Sequence, residues 1–392
     1  MTLIKTSLLN GIAVVIKMLT MLGLNKILAI YVGPAGYAAI GNFQNAVQLC
    51  TALASSAINN GVTKYTAEYY QDELRQYTVW RTAALLAFVG SLIVAILVVI
   101  FNKLLAEWFL KDESLGSVFI WFALTLMFFV FNGLLLAILN GKKEIKRYVA
   151  ANIAGSLFAL VITSFMALKL GLYGALVALA IYQSLTFFVT LLLTYNSSWF
   201  RLSYFFGSID HIVLKNLLRF SLMALVSVAV GPTATLIIRT YIFETIGADS
   251  AGLWEAMQRL GGAYIMFFTS VLSVYLLPKF SELKNIDNIV SEIKLTWCLL
   301  IPASIFSAFL LYCLRDFVIV LLFSKDFLDM SVLFAWQLIG EVFRLASWVL
   351  AFIMISKSMF KLFIITEILF NFSYLSLTLF FVDAFGVVGA TT

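Results

Sequence analysis

Apolar residues form long runs along almost the whole chain, and polar residues are confined to short stretches between them. A run of about 20 apolar residues is long enough to cross the hydrocarbon region of a bilayer as a helix. The final residues, FGVVGATT, resemble the start of a twelfth helix that the chain does not complete. The pattern predicts eleven complete helices, at residues 8–32, 36–60, 82–102, 116–139, 149–169, 172–195, 217–243, 251–277, 295–314, 330–356 and 358–383.

Little of the chain lies outside these runs. Of the 392 residues, 62% are hydrophobic and 12% are charged, whereas roughly a quarter of the residues in a soluble domain are charged. The longest connections, near 62–80, 196–216 and 279–294, are too short to fold as a catalytic domain. The sequence contains no P-loop, GxSxG or HExxH pattern, and its three cysteines and one histidine are scattered. We therefore expect an all-α integral membrane protein that is not an enzyme, with no metal site and no cofactor.

Lysine and arginine predict the orientation of the helices, because cytoplasmic loops carry an excess of these residues. One set of helix ends and loops holds sixteen of them, and the opposite set holds five. This bias places the N-terminus and the even-numbered loops in the cytoplasm. The formal net charge of +6 is therefore mostly a consequence of topology, and we expect no nucleic-acid partner.

A shift of 215 residues superimposes several features of the two halves of the chain. Lys64 falls on Lys279, each just after the second helix of its half. The stretch GLYGA at 171–175 falls on GVVGA at 386–390, each at the start of a sixth helix. Six helices per half give both repeats the same orientation in the membrane. We therefore predict two pseudo-symmetric six-helix lobes, residues 1–200 with helices 1–6 and residues 201–392 with helices 7–11 and the start of helix 12.

Charged residues inside the predicted spans are the most informative positions, since each is costly unless it faces protein or water. Five of them are cations and three are acids, which leaves a surplus of positive charge. A cavity with this surplus suits an anionic ligand, and the forked guanidinium group of arginine matches phosphate oxygens. The predicted anion-binding residues are Lys17, Lys26, Arg239, Arg259 and Arg344.

Three of these cations have alternative interpretations. Lys17 lies near the middle of its span, where it faces either a hydrated cavity or a buried structural partner. Lys26 is close enough to the outer end of its helix to reach the membrane surface. Arg239 follows Pro232, whose missing amide bends or loosens the helix. Pro232 is therefore a candidate hinge.

The three acids inside the spans also allow more than one role. Glu255 and Arg259 are spaced i,i+4 and Glu341 and Arg344 are spaced i,i+3, so each pair can form a salt bridge within its helix. Glu367 either neutralises a neighbour or binds a proton or Na⁺. We keep all three acids as candidate ion-coupling residues.

The second predicted helix carries polar side chains along roughly one stripe. Such side chains can hold helices together in the membrane, or they can offer neutral hydrogen bonds to sugar hydroxyls. We favour the second interpretation, although both remain open. The candidate glycan-lining residues are Asn42, Asn45, Gln48, Ser55 and Asn59.

Several stretches, taken as an ordered set, resemble the Wzx-type lipid-linked oligosaccharide flippases of Gram-negative bacteria. This family lies within the multidrug/oligosaccharidyl-lipid/polysaccharide (MOP) exporter superfamily. None of the stretches is a catalytic motif, so they are specific only as a set. They are VGPAGYAAIGNFQ (32–44), NNGVTKY (59–65), FSLMAL (220–225), SVYLLPKFSEL (273–283), LRDF (314–317) and FAWQLIGEV (334–342).

The resemblance implies both a fold and a substrate. The fold is that of the MOP flippases, with two six-helix lobes around a central cavity. The substrate is undecaprenyl pyrophosphate bearing a short glycan, either an enterobacterial common antigen unit or an O-antigen unit. Family members turn it from the cytoplasmic to the periplasmic leaflet of the bacterial inner membrane by alternating access. The implied partners are the lipid-linked oligosaccharide and the bilayer, with polysaccharide polymerase and chain-length proteins as further candidates.

The resemblance also bears on single residues. Lys17, Lys26 and Arg239 stand at basic positions of the family members that serve the enterobacterial common antigen, whereas Glu255 and Arg259 depart from them. Export would draw on a proton gradient, a Na⁺ gradient or the membrane potential.

Other classes of membrane protein are open alternatives. A drug exporter of the same superfamily would favour an acidic cavity for organic cations, opposite in sign to this one. A major facilitator sugar porter would carry a G-x-x-x-D-[RK]-x-G-[RK] loop after its second helix, which GVTKYTAEYYQDELRQ does not match. A membrane glycan polymerase or ligase usually has a large periplasmic loop, and the predicted periplasmic loops here are short.

Overall fold

The structure is a computed structural model that describes residues 3–55, 58–195, 197–207, 210–283, 285–357 and 359–391. Within these ranges the chain is almost entirely helical and contains no strand, so the all-α prediction is confirmed. The α-helices are α1 Leu3–Ala54, α2 Asn59–Glu68, α3 Glu73–Ile100, α4 Asn102–Leu110, α5 Gly116–Gly141, α6 Ile145–Tyr195, α7 His211–Thr245, α8 Ala248–Glu282, α9 Ile286–Cys313, α10 Arg315–Leu322, α11 Phe334–Ser356 and α12 Phe360–Phe385.

Two of these helices each contain two predicted spans, joined without a loop. In α1 the chain bends at Gly33, which has φ 70° and ψ 179°, and in α6 it bends at Gly171, which has φ 57° and ψ −136°. A positive φ of this kind favours glycine, because a Cβ atom would be strained there. The remaining predicted spans correspond to α3, α5, α7, α8, α9, α11 and α12.

The structure differs from the predicted spans at three places. The second span, predicted at 36–60, ends at Ala54, and Asn59 begins the separate helix α2. Helices α4 and α10 have only 9 and 8 residues. Helices of that length are too short to cross a bilayer, so apolar runs of membrane-crossing length do not predict them.

Seven stretches of the described residues are long and apolar enough to cross a membrane. Many large apolar side chains point outward along them, for example Leu192, Phe306 and Phe343. Contiguous exposed apolar surface of this extent needs a lipid environment rather than water. The chain is a multi-pass membrane protein. The seven stretches are Val14–Ala54, Glu73–Ile100, Glu113–Gly141, Ile145–Tyr195, Ile286–Cys313, Lys325–Ser356 and Lys361–Ala390.

The chain divides into two compact units. The first unit comprises Met1–Tyr31 and Ala39–Pro232, and the second comprises Val32–Ala38 and Thr233–Thr392. The division in the sequence therefore falls inside α7, directly after Pro232. The predicted lobe boundary at residues 200 and 201 stays a prediction. The short segment Val32–Ala38 belongs to the second unit although both of its neighbours in the chain belong to the first.

The backbone supports the repeat that the sequence predicts. Gly386, which lies 215 residues after Gly171, has φ 64° and ψ −148°, close to the dihedral angles of Gly171. A Cβ atom added at Gly174 or at Gly389 would collide in each case with the carbonyl oxygen of the residue eight positions earlier. The same bend, closed by the same close approach, therefore occurs once in each half of the chain.

Each unit has its own apolar core. In the first unit, Trp80, Leu134, Ile138 and Trp199 are buried in one cluster. In the second unit, a cluster with Leu276 and Leu345 joins α8, α9 and α11. A further cluster in the second unit joins Ala38 to residues of α7, α8 and α12. This last cluster surrounds the charged residues described next.

Candidate functional site

One glutamate and two arginines form a buried ionic cluster in the second unit, which we call the arginine–glutamate triad: Arg239, Glu255 and Arg259. Arg239 Nη2 donates a hydrogen bond to Glu255 Oε2, and Arg259 Nε donates to Glu255 Oε1 at 2.7 Å. The exposed fractions of the three side chains are 4%, 7% and 16% in that order. Each carboxylate oxygen therefore meets a different guanidinium group, and the triad carries one net positive charge.

Helix geometry brings the triad together. Glu255 and Arg259 lie one turn apart on α8, as their i,i+4 spacing predicts. Arg239 lies on α7, two turns after Pro232, and reaches Glu255 from the neighbouring helix. The spacing within α8 was visible in the sequence, whereas the pairing between helices was not.

Two aromatic rings support the arginines. The guanidinium carbon of Arg239 lies 5.7 Å from the centre of the Trp254 ring, and that of Arg259 lies 4.8 Å from the centre of the Tyr37 ring. Trp254 and Tyr37 are fully buried. Contacts of a cation with an aromatic face are attractive and strengthen when water is excluded. The rings therefore hold the two guanidinium groups independently of Glu255.

Tyr37 is positioned by a close contact between the backbone near Pro34 and helix α8. The carbonyl group of Pro34 lies against Gly252 on α8, where an added Cβ atom would collide with it. Glycine at position 252 therefore lets Val32–Ala38 pack closely on α8 within the second unit. Tyr37 then packs edge-on against Phe323 and Phe327, at ring-centre distances of 5.9 and 5.5 Å.

Glu341 lies in a second polar cluster on α11 of the same unit. Its side chain is 1% exposed. Its Oε1 accepts a hydrogen bond from Gln337 Nε2 at 2.8 Å and lies 3.6 Å from Arg344 Nη1, which is too far for a hydrogen bond. Its Oε2 is buried with no hydrogen-bond partner among the described residues. Gln258 on α8 donates to Gln337 Oε1 at 3.3 Å and extends the cluster to that helix.

Tyr374 on α12 is half-buried and packs against the apolar cluster that contains Trp254. Tyr374, Tyr37 and Trp254 were not predicted as site residues from the sequence. Tyr37 follows a Gly-Pro turn and Trp254 directly precedes Glu255. The Gly-Pro pair before Tyr37 and the glutamate after Trp254 become informative only when the packing of the helices is known.

The predicted lysines lie in the first unit, on the first half of α1. The side chain of Lys17 is exposed, and no partner of its ammonium group is found among the described residues. Lys26 is half-buried. The structure therefore does not place Lys17 in a buried structural pair, and its role as an anion ligand stays a prediction.

The predicted polar stripe is not one continuous surface. Asn42 and Ser55 are buried, Asn45 and Asn59 are half-buried and Gln48 is exposed. Asn45 Nδ2 donates to the carbonyl oxygen of Pro232 at 3.1 Å, at the candidate hinge. The glycan-lining role of the stripe and the hinge role of Pro232 both stay predictions.

Glu367, on α12, is engaged locally. Asn371 Nδ2 donates to the backbone oxygen of Glu367 at 2.8 Å and to its Oε1 at 3.3 Å. Among the described residues, no group of three or more His, Cys, Asp or Glu side chains could hold a metal ion.

The sequence matches a known protein family over most of its length. The sequence model of the family "Polysaccharide biosynthesis protein" matches residues 3–284. The chain is 31% identical over 371 residues to the lipid III flippase of Escherichia coli (strain K12), which covers 94% of this chain and 88% of that protein.

Solved structures share the fold. The inward-facing conformation of a multidrug resistance MATE family transporter of the MOP superfamily matches with a TM-score of 0.79 at 16% identity, over 95% of this chain and 89% of that chain. The lipid II flippase MurJ in its inward closed conformation matches with a TM-score of 0.74 at 15% identity, over 99% of this chain and 83% of that chain. At these identities the likeness concerns the fold alone, and it confirms the predicted MOP flippase fold.

Proposed function

Because the chain belongs to the polysaccharide biosynthesis protein family, we propose that it is a flippase for an undecaprenyl-pyrophosphate-linked oligosaccharide. The observation that carries this proposal is the identity shared with the lipid III flippase over nearly the whole chain. That relative is named for flipping lipid III. A likeness of this extent favours a substrate with the same type of carrier and a short glycan, either the enterobacterial common antigen unit or an O-antigen unit.

The proposed direction is from the cytoplasmic to the periplasmic leaflet of the bacterial inner membrane. The excess of lysine and arginine at one set of helix ends supports a cytoplasmic N-terminus. Export would proceed by alternating access, in which the binding cavity opens first to one side and then to the other. Outward movement of an anion is favoured by an inside-negative potential, by about 2.3 kcal/mol per charge per 100 mV.

The chemistry of the triad supports a diphosphate ligand. Arg239 and Arg259 present two guanidinium groups to one small anion, and arginine binds phosphate oxygens through paired hydrogen bonds. The net positive charge of the triad favours a ligand that carries more than one negative charge. In the first unit, the exposed ammonium group of Lys17 is suited to a phosphate in a hydrated cavity.

Energy coupling is a separate part of the proposal. Glu341 is the acid with a buried oxygen that has no partner in the described part of the chain, so a proton or a monovalent cation could occupy that position. Glu255 has both oxygens engaged by arginines. We therefore favour Glu341 over Glu255 and Glu367 as the coupling residue, and polymerase and chain-length proteins stay candidate partners.

A deletion strain tests the proposed function. Loss of the gene should cause undecaprenyl-pyrophosphate-linked glycan to accumulate in lipid extracts, and mass spectrometry of those extracts would identify the glycan. Expression of the intact chain should clear the accumulated intermediate, whereas Arg239→Ala should not, at equal protein level. A deletion strain in which no carrier-linked glycan accumulates would refute the proposed function.

A further inference from the structure

Glu255 engages the two arginines as an external phosphate group would. Its two oxygens each accept from a different guanidinium group, Arg239 on one side and Arg259 on the other. Carboxylate and phosphate oxygens make the same kind of charge-assisted hydrogen bond with arginine. The carboxylate of Glu255 therefore resembles a bound anion that the chain itself supplies.

Burial explains why an internal anion is needed. Arg239 and Glu255 are almost completely buried and Arg259 is mostly buried. Two guanidinium groups close together in such surroundings repel each other and have lost most of their hydration, so they need a counter-ion. A diphosphate group could take over this role, because it brings its own negative charge to the same donors.

We propose that Glu255 is an internal competitor of the substrate's pyrophosphate. In the empty site it neutralises Arg239 and Arg259, and on substrate binding it yields at least one of them to phosphate oxygens. This inference rests on the proposed function. It assigns Glu255 a positioning role that neither a coupling residue nor a purely structural ion pair would have.

The surroundings of the triad allow this exchange. The Trp254 ring lies against Arg239 and the Tyr37 ring lies against Arg259, so both guanidinium groups keep a contact when the carboxylate moves away. Glu255 has several rotatable side-chain bonds and shares a helix face with Arg259. It can therefore release Arg239, on the neighbouring helix, while it stays close to Arg259.

Competition of this kind has a consequence for transport. A flippase has to release its substrate on the far side, and two buried arginines without a competing anion would hold a diphosphate tightly. The returning carboxylate lowers the affinity and favours release. Removal of the carboxylate should therefore strengthen binding and slow export at the same time.

The first experiment measures binding of inorganic pyrophosphate to the full chain in lipid nanodiscs by isothermal titration calorimetry. Glu255→Gln should bind it about tenfold more tightly than the unchanged chain, a typical size for coupling between two ligands. Glu255→Asp, which keeps the charge, should stay close to the unchanged chain. Glu292→Gln is the matched control, because Glu292 lies on α9 and pairs with Lys279 at 4.0 Å, outside the triad. It should leave the affinity unaltered.

Export in cells supplies the second readout. Glu255→Gln should slow the clearance of the carrier-linked glycan although it binds pyrophosphate more tightly, and Glu255→Asp should restore clearance. A merely structural Glu255 would give weaker pyrophosphate binding in Glu255→Gln, and that result would overturn the inference. Unchanged affinity in Glu255→Gln, with affinity lost in Arg239→Ala, would overturn it as well.

A further pair of variants keeps the test decisive if Glu255→Gln does not fold. Arg259→Gln leaves the neutral pair of Arg239 and Glu255, and adding Glu255→Gln to it restores one net positive charge. The double variant should bind pyrophosphate about tenfold more tightly than Arg259→Gln alone. Equal affinities, or no saturable binding by the unchanged chain, would overturn the inference. Failure of the proposed function would show separately, as a deletion strain without accumulated glycan.

Discussion

The second unit contains two deeply buried glutamates that resemble each other in the sequence and differ in their surroundings. Glu255 precedes Arg259 by one helical turn, and Glu341 precedes Arg344 in a similar way. Glu255 accepts hydrogen bonds from two arginines, one on its own helix and one on α7. Glu341 accepts one from the Gln337 amide, and its other oxygen has no partner among the described residues.

The difference shows what decides the role of a buried acid. Arg239 is itself buried and requires a negative charge next to it, and Glu255 is the acid that lies there. Arg344 is 47% exposed and lies 3.6 Å from Glu341, so its need for a neighbouring negative charge is much weaker. The sequence spacing of acid and base is therefore a poor guide, whereas the burial of the base is a good one.

The largest loss of stability is expected when the charge of Glu255 is removed. Glu255→Gln leaves Arg239 and Arg259 buried without a counter-ion, and removal of one partner from a buried ionic group costs about 3–5 kcal/mol. Unfolding of the purified protein in detergent, followed by tryptophan fluorescence, should show this loss. Added inorganic pyrophosphate should recover part of it. A loss below about 1 kcal/mol would mean that the two acids do not differ in the way described.

Arg239→Ala makes the surroundings of the two acids more alike. It leaves Glu255 with one neighbouring arginine, the same number that Glu341 has. Export of the carrier-linked glycan should fall by about thirtyfold or more, since loss of one member of a buried charged pair costs at least about 2 kcal/mol. Clearance of the glycan from lipid extracts measures the effect, with protein levels checked in parallel. Arg315→Ala is the control, because Arg315 lies near Asp316 outside both clusters and should export normally. Equal export by both variants would contradict the role of Arg239.

The surroundings of Glu341 can be changed without touching an ionisable group. A Cβ atom at Gly261 would collide with Glu341 Oε1 and lie 3.1 Å from Gln337 Nε2, so Gly261→Ala should destabilise the protein by about 1–3 kcal/mol. Gly262 is the matched control, because an added Cβ there would meet nothing within 4 Å. Gly262→Ala should be neutral or stabilise α8 by about 1 kcal/mol. Thermal unfolding of both variants tests this, and equal melting temperatures would argue against close packing at Glu341.

Lys17→Ala extends the comparison to a cation that has no counter-ion among the described residues. The side chain is exposed, so its loss should leave the melting temperature unchanged. Export should fall about tenfold, because a hydrogen bond to a charged group contributes roughly 1.5 kcal/mol. Lys17→Arg should restore most of it. Normal export by Lys17→Ala would remove Lys17 from the proposed binding residues.

Of the two buried acids, Glu341 should show the smaller loss of stability when it is replaced by Gln. An amide has nearly the same shape, it can accept from Gln337, and it replaces an oxygen that lacks a partner in the described structure. The change in the free energy of unfolding should stay within about 1 kcal/mol. Export by this variant should no longer respond to an imposed proton or Na⁺ gradient. A loss of stability as large as that of Glu255→Gln would show that Glu341 also serves as a fixed counter-ion.

Much of the fold could be predicted from the sequence. Apolar runs of membrane-crossing length are a strong signal. The repeat aligned Gly171 with Gly386, and the structure places a similar bend at both. Helices α4 and α10 were missed because helices of 9 and 8 residues carry no such signal. The end of α1 at Ala54 was missed because polar residues continue into α2 without a proline at the boundary.

The candidate site could be predicted only in part. Periodicity along one helix pointed to Glu255 with Arg259 and to Glu341 with Arg344. Arg239 was predicted as a charged residue inside a span, but its pairing with Glu255 was not, because contacts between helices depend on how their faces pack rather than on spacing in the chain. The aromatic partners were missed for the same reason, since buried tryptophan and tyrosine are common in any apolar helix.

The contact between Pro34 and Gly252 has a consequence for the order of events during synthesis. The ribosome makes Val32–Ala38 early, but more than half of the chain's length separates Pro34 from the helix against which it packs. At about 5–20 residues per second the delay is roughly 10–40 seconds. Val32–Ala38 is therefore made before its final neighbours. Its packing has to wait until α8 has been inserted.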